Sequence, residues 1–101
     1  IRRVVATYGR AIETKDLALF RSIKPNLSAD EERRLQLGFR AVSSQRVSLT
    51  ITTIDLRGDS ASVVVQRRDV LDVGGRSQTV DARQQLTMSR ARNGWVIVEI
   101  R

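Results

Sequence analysis

Apolar side chains recur at the spacing of α-helices through the first part of the chain. The first such stripe predicts an amphipathic helix over about residues 1–14 that packs on one side only. Its members are Ile1, Val4, Val5, Tyr8 and Ile12, with Ala11 at the edge. Asp16 stands where an N-cap belongs, which predicts a short second helix, and Pro25 ends that helix.

A third helix is predicted to begin at the capping-box pair Ser28 and Glu31 and to run to about Val42 or Ser43. The side chains expected on its buried face are Leu35, Phe39 and Val42. Gly38 lies on the same side, and a glycine inside a helix costs about 1 kcal/mol relative to alanine. We therefore expect the third helix to approach a neighbouring element closely at Gly38.

From Arg46 onward apolar and polar residues alternate, which is the period of β-strands. The apolar phase reverses at Thr52-Thr53, as it does at a β-bulge that lets a sheet bend. Turns at Gly58-Asp59, Gly74-Gly75 and Asn93-Gly94 divide this part into four strands. Helices followed by a strand meander predict an α+β fold, with the N-terminal helices packed on a curved four-stranded antiparallel sheet. The same order excludes the alternating βαβ units that bind dinucleotides.

The composition limits the chemistry, because the chain contains no His and no Cys. Their absence removes the commonest general base, the thiol nucleophile and the commonest zinc ligands, so we predict no metal site and no cofactor. The net charge is +7, and its longest basic runs are only the doublets at 2–3, 33–34 and 67–68. Charge this diffuse indicates a solvated basic surface and leaves nucleic-acid binding as a weaker alternative.

The chain begins inside a predicted helix and ends inside a predicted strand. We therefore interpret residues 1–101 as a single domain excised from a longer protein. No apolar run approaches the roughly 18 residues that a membrane span needs.

Three stretches of the sequence resemble the nuclear-transport-factor-2-like superfamily, also called cystatin-like or SnoaL-like. They are residues 11–17, the turn at 58–61 and the hairpin at 93–97. The resemblance covers nearly the whole chain in element order, and it implies a cone in which a curved sheet wraps a long N-terminal helix and leaves a pocket at the open end. The stretch from Leu19 to Ser28 also resembles domains appended to bacterial multidomain proteins, including Ser/Thr kinases.

The resemblance leaves the activity open, since one fold carries many functions. Catalytic members generally place a His/Asp pair, or a Tyr with one or two Asp, in the cone. In this chain only the second arrangement could form, from Tyr8 and an aspartate. The aspartates considered for that role are Asp16, Asp69, Asp72 and Asp81. None of them matches the isomerase pattern position by position, so catalysis is not favoured.

A ligand pocket is expected where periodicity places polar side chains on core-facing positions. Its polar lining is predicted to come from Tyr8, from Arg67 or Arg68, and from Gln84, with Phe39 and Trp95 as walls. Of two adjacent strand residues, one must face the concave side. An inward guanidinium would bind a small anionic ligand or pair with an internal aspartate, Asp69 or Asp81. For Tyr8, Gln84 and Trp95 a purely structural place in the core is the alternative.

The last strand carries apolar residues in both phases, with Trp95 and Ile97 on one side. The residues expected on the other side are Val96, Val98 and Ile100. An antiparallel sheet in a small domain usually leaves one face wet, so a second apolar face needs a cover. These three residues therefore predict a homodimer interface or a contact with a neighbouring domain of the parent chain.

Together the patterns favour a non-catalytic association or small-ligand-binding module of a larger bacterial protein. The first alternative is a small-molecule isomerase or cyclase that uses Tyr8 and an aspartate in the cone. The second is nucleic-acid binding through the basic surface. An open, polar pocket with a buried carboxylate would favour the enzyme, whereas a plugged cavity would favour association.

Overall fold

Three helices are followed by four strands in the computed structural model, which describes residues 1–101. The helices are α1 (Arg2–Glu13), α2 (Leu17–Ile23) and α3 (Ala29–Ala41). The strands are β1 (Ser44–Arg57), β2 (Ser60–Val73), β3 (Arg76–Ala91) and β4 (Gly94–Ile100). None of the three helices combines the length and the apolar character that crossing a membrane requires.

The helix starts follow from local hydrogen bonds, as the sequence predicts. The Asp16 carboxylate accepts a hydrogen bond from the Leu19 amide at 3.0 Å, which caps α2. At α3, the Ser28 hydroxyl accepts from the Glu31 amide while the Glu31 carboxylate accepts from the Ser28 amide. Both contacts satisfy amides that a helix N-terminus otherwise leaves unpaired.

The four strands form one antiparallel sheet in the order β1-β2-β3-β4, which confirms the predicted meander. The register of β1 on β2 shifts between Ile51 and Thr53, at the position of the predicted bulge. Because of this shift, Ile51 and Ile54 pair with Val65 and Val63, two residues that point to the same face. The side chains of Ile51 and Ile54, on either side of the bulge, therefore both lie on the concave face of the sheet.

The core lies between this concave face and α1. Its fully buried strand residues are Val63, Val65, Leu86, Met88 and Ile97, and its helical members include Tyr8 and Ala11. Helix α1 lies close to β1 at Gly9, where an added Cβ would lie 3.2 Å from Leu49 Cδ1. The close approach expected at Gly38 is wrong, since no atom lies within 4 Å of a Cβ built there.

A second bulge, between β3 and β4, reverses the phase of the last strand. Ile97 pairs with Met88 and Ile100 pairs with Leu86, so Val98 is the extra residue between them. Ile100 therefore packs against the core on the concave side and does not share a face with Val96 and Val98. This corrects the sequence-based expectation, which assumed unbroken alternation along β4.

The cone is filled at one end and open at the other. On β3 the inward residues Leu86 and Met88 are fully buried, whereas Val80, further along the same phase, is 48% exposed. Helix α3 lies at this open end and completely buries none of its residues. The polar side chains between the two ends make up the candidate site.

Candidate functional site

Tyr8 lies in the middle of α1 and is only 2% exposed. Its ring packs edge-on against Phe20 of α2, with 5.9 Å between the ring centroids. Its hydroxyl donates a hydrogen bond to Gln84 Oε1 at 2.9 Å and accepts one from Arg67 Nη1 at 2.7 Å. The partners of Tyr8 are therefore side chains of β2 and β3, so this one residue connects α1 to both central strands.

Arg67 and Asp69 are consecutive inward residues of β2 and form a bidentate ion pair. Arg67 Nε donates to Asp69 Oδ1 at 2.6 Å, and Arg67 Nη2 donates to Asp69 Oδ2 at 2.7 Å. Gln45 Nε2 of β1 donates to Asp69 Oδ2 at 2.6 Å. Gln84, Tyr8, Arg67, Asp69 and Gln45 thus form a continuous chain of hydrogen bonds, which we call the Tyr8 network.

Burial controls the electrostatics of the Tyr8 network. It raises the pKa of the Tyr8 hydroxyl above its ordinary value of 10.0, and the nearby positive charge and hydrogen bonds only partly oppose this effect. For Arg67, burial lowers the pKa, but the hydrogen bonds to Asp69 and Tyr8 and the electrostatic attraction of these two groups together outweigh it and leave that pKa raised. Tyr8 is therefore neutral and Arg67 is charged at neutral pH.

Arg68 lies on the opposite, convex face of the sheet, because adjacent strand residues point to opposite sides. Its Nε donates to Asp81 Oδ1 at 2.8 Å, and both side chains of this pair are more than 60% exposed. Of the two adjacent arginines, Arg67 is thus the inward one. The structure does not bring Arg68 to the candidate site.

Two adjacent cavities lie at the open end of the cone, under α3, with volumes of about 330 and 310 Å³. We call them together the mouth pocket. Four residues line both parts, namely Ile12, Arg34, Leu35 and Arg67. Tyr8 lines the first part, and Phe39 lines the second. The mouth pocket is therefore mainly apolar and carries cationic groups beside the Tyr8 network.

Trp95 lies elsewhere, at the β3–β4 hairpin. It borders a separate cavity of about 350 Å³ together with Ile1 and Ile23, and the Arg90 guanidinium lies over its indole, 4.9 Å from the ring centroid. The structure therefore brings together Tyr8, Arg67 and Gln84, with Phe39 close by. It does not bring Trp95 to the same place.

Each aspartate considered for acid–base chemistry already has a structural partner. Asp16 caps α2, and Asp72 accepts a hydrogen bond from the Ser44 hydroxyl at 2.7 Å. Asp81 pairs with Arg68 on the convex face, and Asp69 pairs with Arg67. No group of three or more acidic side chains is close enough together to hold a metal ion.

Sequence reasoning missed three polar residues at this end of the cone: Lys24, Arg34 and Gln45. Lys24 is 4% exposed and donates to Glu31 Oε2 at 2.9 Å, a hydrogen bond that lowers the pKa of Glu31. For Gln45 a signal existed, because it lies two residues before Val47 in the inward phase of β1. No comparable signal marks Arg34 on α3, since its neighbours on both sides are exposed or only partly buried.

The arrangement of helices and strands is similar to several solved structures. One is a protein from Novosphingobium aromaticivorans named as a candidate aromatic ring hydroxylase, with a TM-score of 0.88, 17% identity, and coverage of 98% of this chain and 82% of that one. Another is a nuclear transport factor 2 (NTF2-like) superfamily protein from Salmonella enterica serovar Typhimurium, with a TM-score of 0.83, 17% identity, and coverage of 97% and 83%.

A third is an NTF2-like protein with a cystatin-like fold from Novosphingobium aromaticivorans, with a TM-score of 0.81, 19% identity, and coverage of 98% and 75%. The chain therefore has the nuclear-transport-factor-2-like fold that the resemblance implied. At these identities the likeness establishes the fold and not a shared activity. The sequence matches no protein-family model and no curated protein.

Two ion pairs of the same chemistry test the role of burial, because Arg67–Asp69 is largely buried and Arg68–Asp81 is exposed. We expect Asp69→Asn to lower the free energy of unfolding by about 2–3 kcal/mol, since it leaves a mostly buried guanidinium without its counter-charge. Asp81→Asn should lower it much less, because water screens the exposed pair. Urea denaturation of both variants measures the difference, and equal losses would contradict this assignment.

Tyr8 should make stability fall at alkaline pH. Its pKa is raised in the folded chain, so the unfolded chain ionises first, and the stabilisation is complete below about pH 10 and declines above it. Tyr8 is the only tyrosine, so the difference between the wild type and Tyr8→Phe isolates this effect. Urea denaturation across alkaline pH should show a steeper decline in the wild type. Parallel curves for the two proteins would show that the hydroxyl is not buried in the folded state.

Proposed function

We propose that this domain is a non-catalytic module that binds a small, apolar carboxylate in the mouth pocket. The observation that carries the proposal is the incomplete burial of α3. Its apolar residues Leu35 and Phe39 pack against the core but are only partly buried, and they line the cavities of about 330 and 310 Å³ that remain under the helix. Pockets for small ligands typically begin at about 300 Å³. An apolar ligand under α3 would complete the packing that the chain leaves unfinished.

The charges around the mouth pocket favour an anion. Lys24 is neutralised by Glu31, and Arg67 is neutralised by Asp69. Arg34 lines both cavities and takes part in none of the ion pairs of the protein. A carboxylate at the rim would pair with Arg34, while the apolar part of the ligand lies against Leu35.

An enzymatic role is the less favoured alternative, although one structural neighbour is named as a candidate hydroxylase. An isomerase or cyclase of the kind considered for Tyr8 and an aspartate needs a carboxylate free to take a proton. Both oxygens of Asp69 accept hydrogen bonds from Arg67, and the Tyr8 hydroxyl donates to Gln84. These partners disfavour acid–base chemistry at Tyr8 and Asp69.

Octanoate tests the ligand proposal, with octanol and octylamine as neutral and cationic controls of the same chain length. Octanoate should raise the Tm of the domain and shift NMR signals of α3, whereas octylamine should do neither. Arg34→Gln should weaken octanoate binding about tenfold, equivalent to about 1.4 kcal/mol. The neighbouring Arg33→Gln serves as the control, because Arg33 does not line the mouth pocket. Absence of any shift at millimolar octanoate, or equal effects of the two variants, would refute the proposal.

Association through the outer side of β4 is a second candidate, favoured by Val98, which is 41% exposed. With Ile100 on the concave side, the apolar surface that remains there is centred on Val96 and Val98. We expect light scattering at micromolar concentration to give about twice the mass of 11.4 kDa, and Val98→Asp to restore the monomer. Val73→Asp is the control, since Val73 is similarly exposed at the far end of β2. A monomeric wild type would eliminate this candidate.

A further inference from the structure

A groove of about 600 Å³ runs between α1 and the edge strand β1, on the side of α1 away from the mouth pocket. We call it the edge groove. Its helical wall includes Arg2, Ala6, Gly9 and Arg10, which recur at helical spacing on one side of α1. Its other wall includes Leu49 and Ile51 of β1.

Strand β1 has an unpaired edge along this groove, because it pairs with β2 on one side only. The Val47 amide donates to Glu13 Oε1 of α1 at 2.7 Å, so the main chain of Val47 points away from β2. In an antiparallel ladder the direction of the main-chain groups alternates along the strand, so those of Leu49 and Ile51 also point outward. A short stretch of β1 therefore offers free donors and acceptors to an added strand.

Glu13 already forms one hydrogen bond of the kind that an added strand would form with this edge. Its carboxylate oxygen occupies the place where the carbonyl of a neighbouring strand would bind the Val47 amide. Beyond Val47, two small residues of α1 line the groove. Gly9 has no side chain and lies close to the Leu49 side chain, and the side chain of Ala6 is a single methyl group. Alternate side chains of an added strand could therefore lie against Ala6 and Gly9, in the part of the groove between Arg2 and Arg10.

The charge of the edge groove is positive. Arg2 and Arg10 are exposed and take part in none of the ion pairs of the protein, and the one acidic lining residue, Glu13, is engaged by the Val47 amide. Arg46, on the convex side of the same strand, is also exposed and unpaired. Two copies of this edge would repel each other, whereas an acidic strand would be attracted from both faces.

From this geometry we infer that the edge groove binds an extended acidic segment of a partner protein, which adds to β1 as a fifth strand. Main-chain hydrogen bonds to Leu49 and Ile51 would align the added strand with β1. Arg2 and Arg10 would pair with the carboxylates of its acidic side chains. This interaction uses a surface separate from the mouth pocket, so it does not depend on the ligand proposed there.

Fluorescein-labelled peptides that alternate Glu and Val test the inference by fluorescence anisotropy. The Glu/Val peptide should bind saturably, and a Lys/Val peptide of the same length should not. Combined Arg2→Glu and Arg10→Glu substitutions should weaken binding at least about fivefold. Combined Arg76→Glu and Arg83→Glu substitutions are the charge-matched control, since both exposed residues belong to β3 and do not line the edge groove, and they should change binding less than about twofold.

Two N-methylated peptides separate strand addition from simple charge attraction without altering the protein. In a strand the amides of all Val residues point to one edge and those of all Glu residues to the other. Methylating one set should abolish binding, and methylating the other set should leave it within about twofold. Equal binding of the two methylated peptides, or equal binding of the Glu/Val and Lys/Val peptides, would overturn the inference.

Discussion

The buried hydroxyl of Tyr8 is the contact on which the rest of the architecture depends. Through Gln84 and Arg67 it joins α1 to β3 and β2, and through Asp69 and Gln45 the connection continues to β1. Each donor and acceptor in this chain satisfies a group whose burial would otherwise be costly. Arg67 can lie inside the cone because Asp69 is one inward position away on the same strand. The network thus fixes α1 at one depth within the curved sheet.

The position of the network also divides the cone into two parts with different properties. On one side lies the dry core, where Val63, Leu86 and Met88 are completely buried. On the other side α3 covers the opening incompletely, and Arg34 remains without a counter-ion. The ionisable groups that could have served catalysis are used to hold the structure together. For this reason we propose binding and not catalysis at this end of the fold.

Much of this architecture could be predicted from local sequence signals, because these report local physics. The N-cap at Asp16 and the capping box at Ser28 are contacts between residues three positions apart, and the bulge at Thr52 shows as a reversal of phase within β1 itself. The bulge at Val98 gave no such signal, since β4 is apolar in both phases and a shift leaves the pattern unchanged. Likewise, the sequence of a helix does not show whether Gly9 or Gly38 packs closely. The difference arises because Leu49, which is distant in sequence, lies against Gly9.

The candidate site was predicted in part for the same reason. Periodicity placed Tyr8 and Gln84 inward and required one of Arg67 and Arg68 to follow, but only the three-dimensional structure shows that Asp69 satisfies the inward guanidinium. The most direct test of this account is an NMR observation of the Tyr8 hydroxyl proton. We expect a slowly exchanging resonance with nuclear Overhauser effects to the side chains of Gln84 and Arg67. A hydroxyl proton that exchanges with water too fast to be seen, with Arg67 mobile, would contradict the central role of the network.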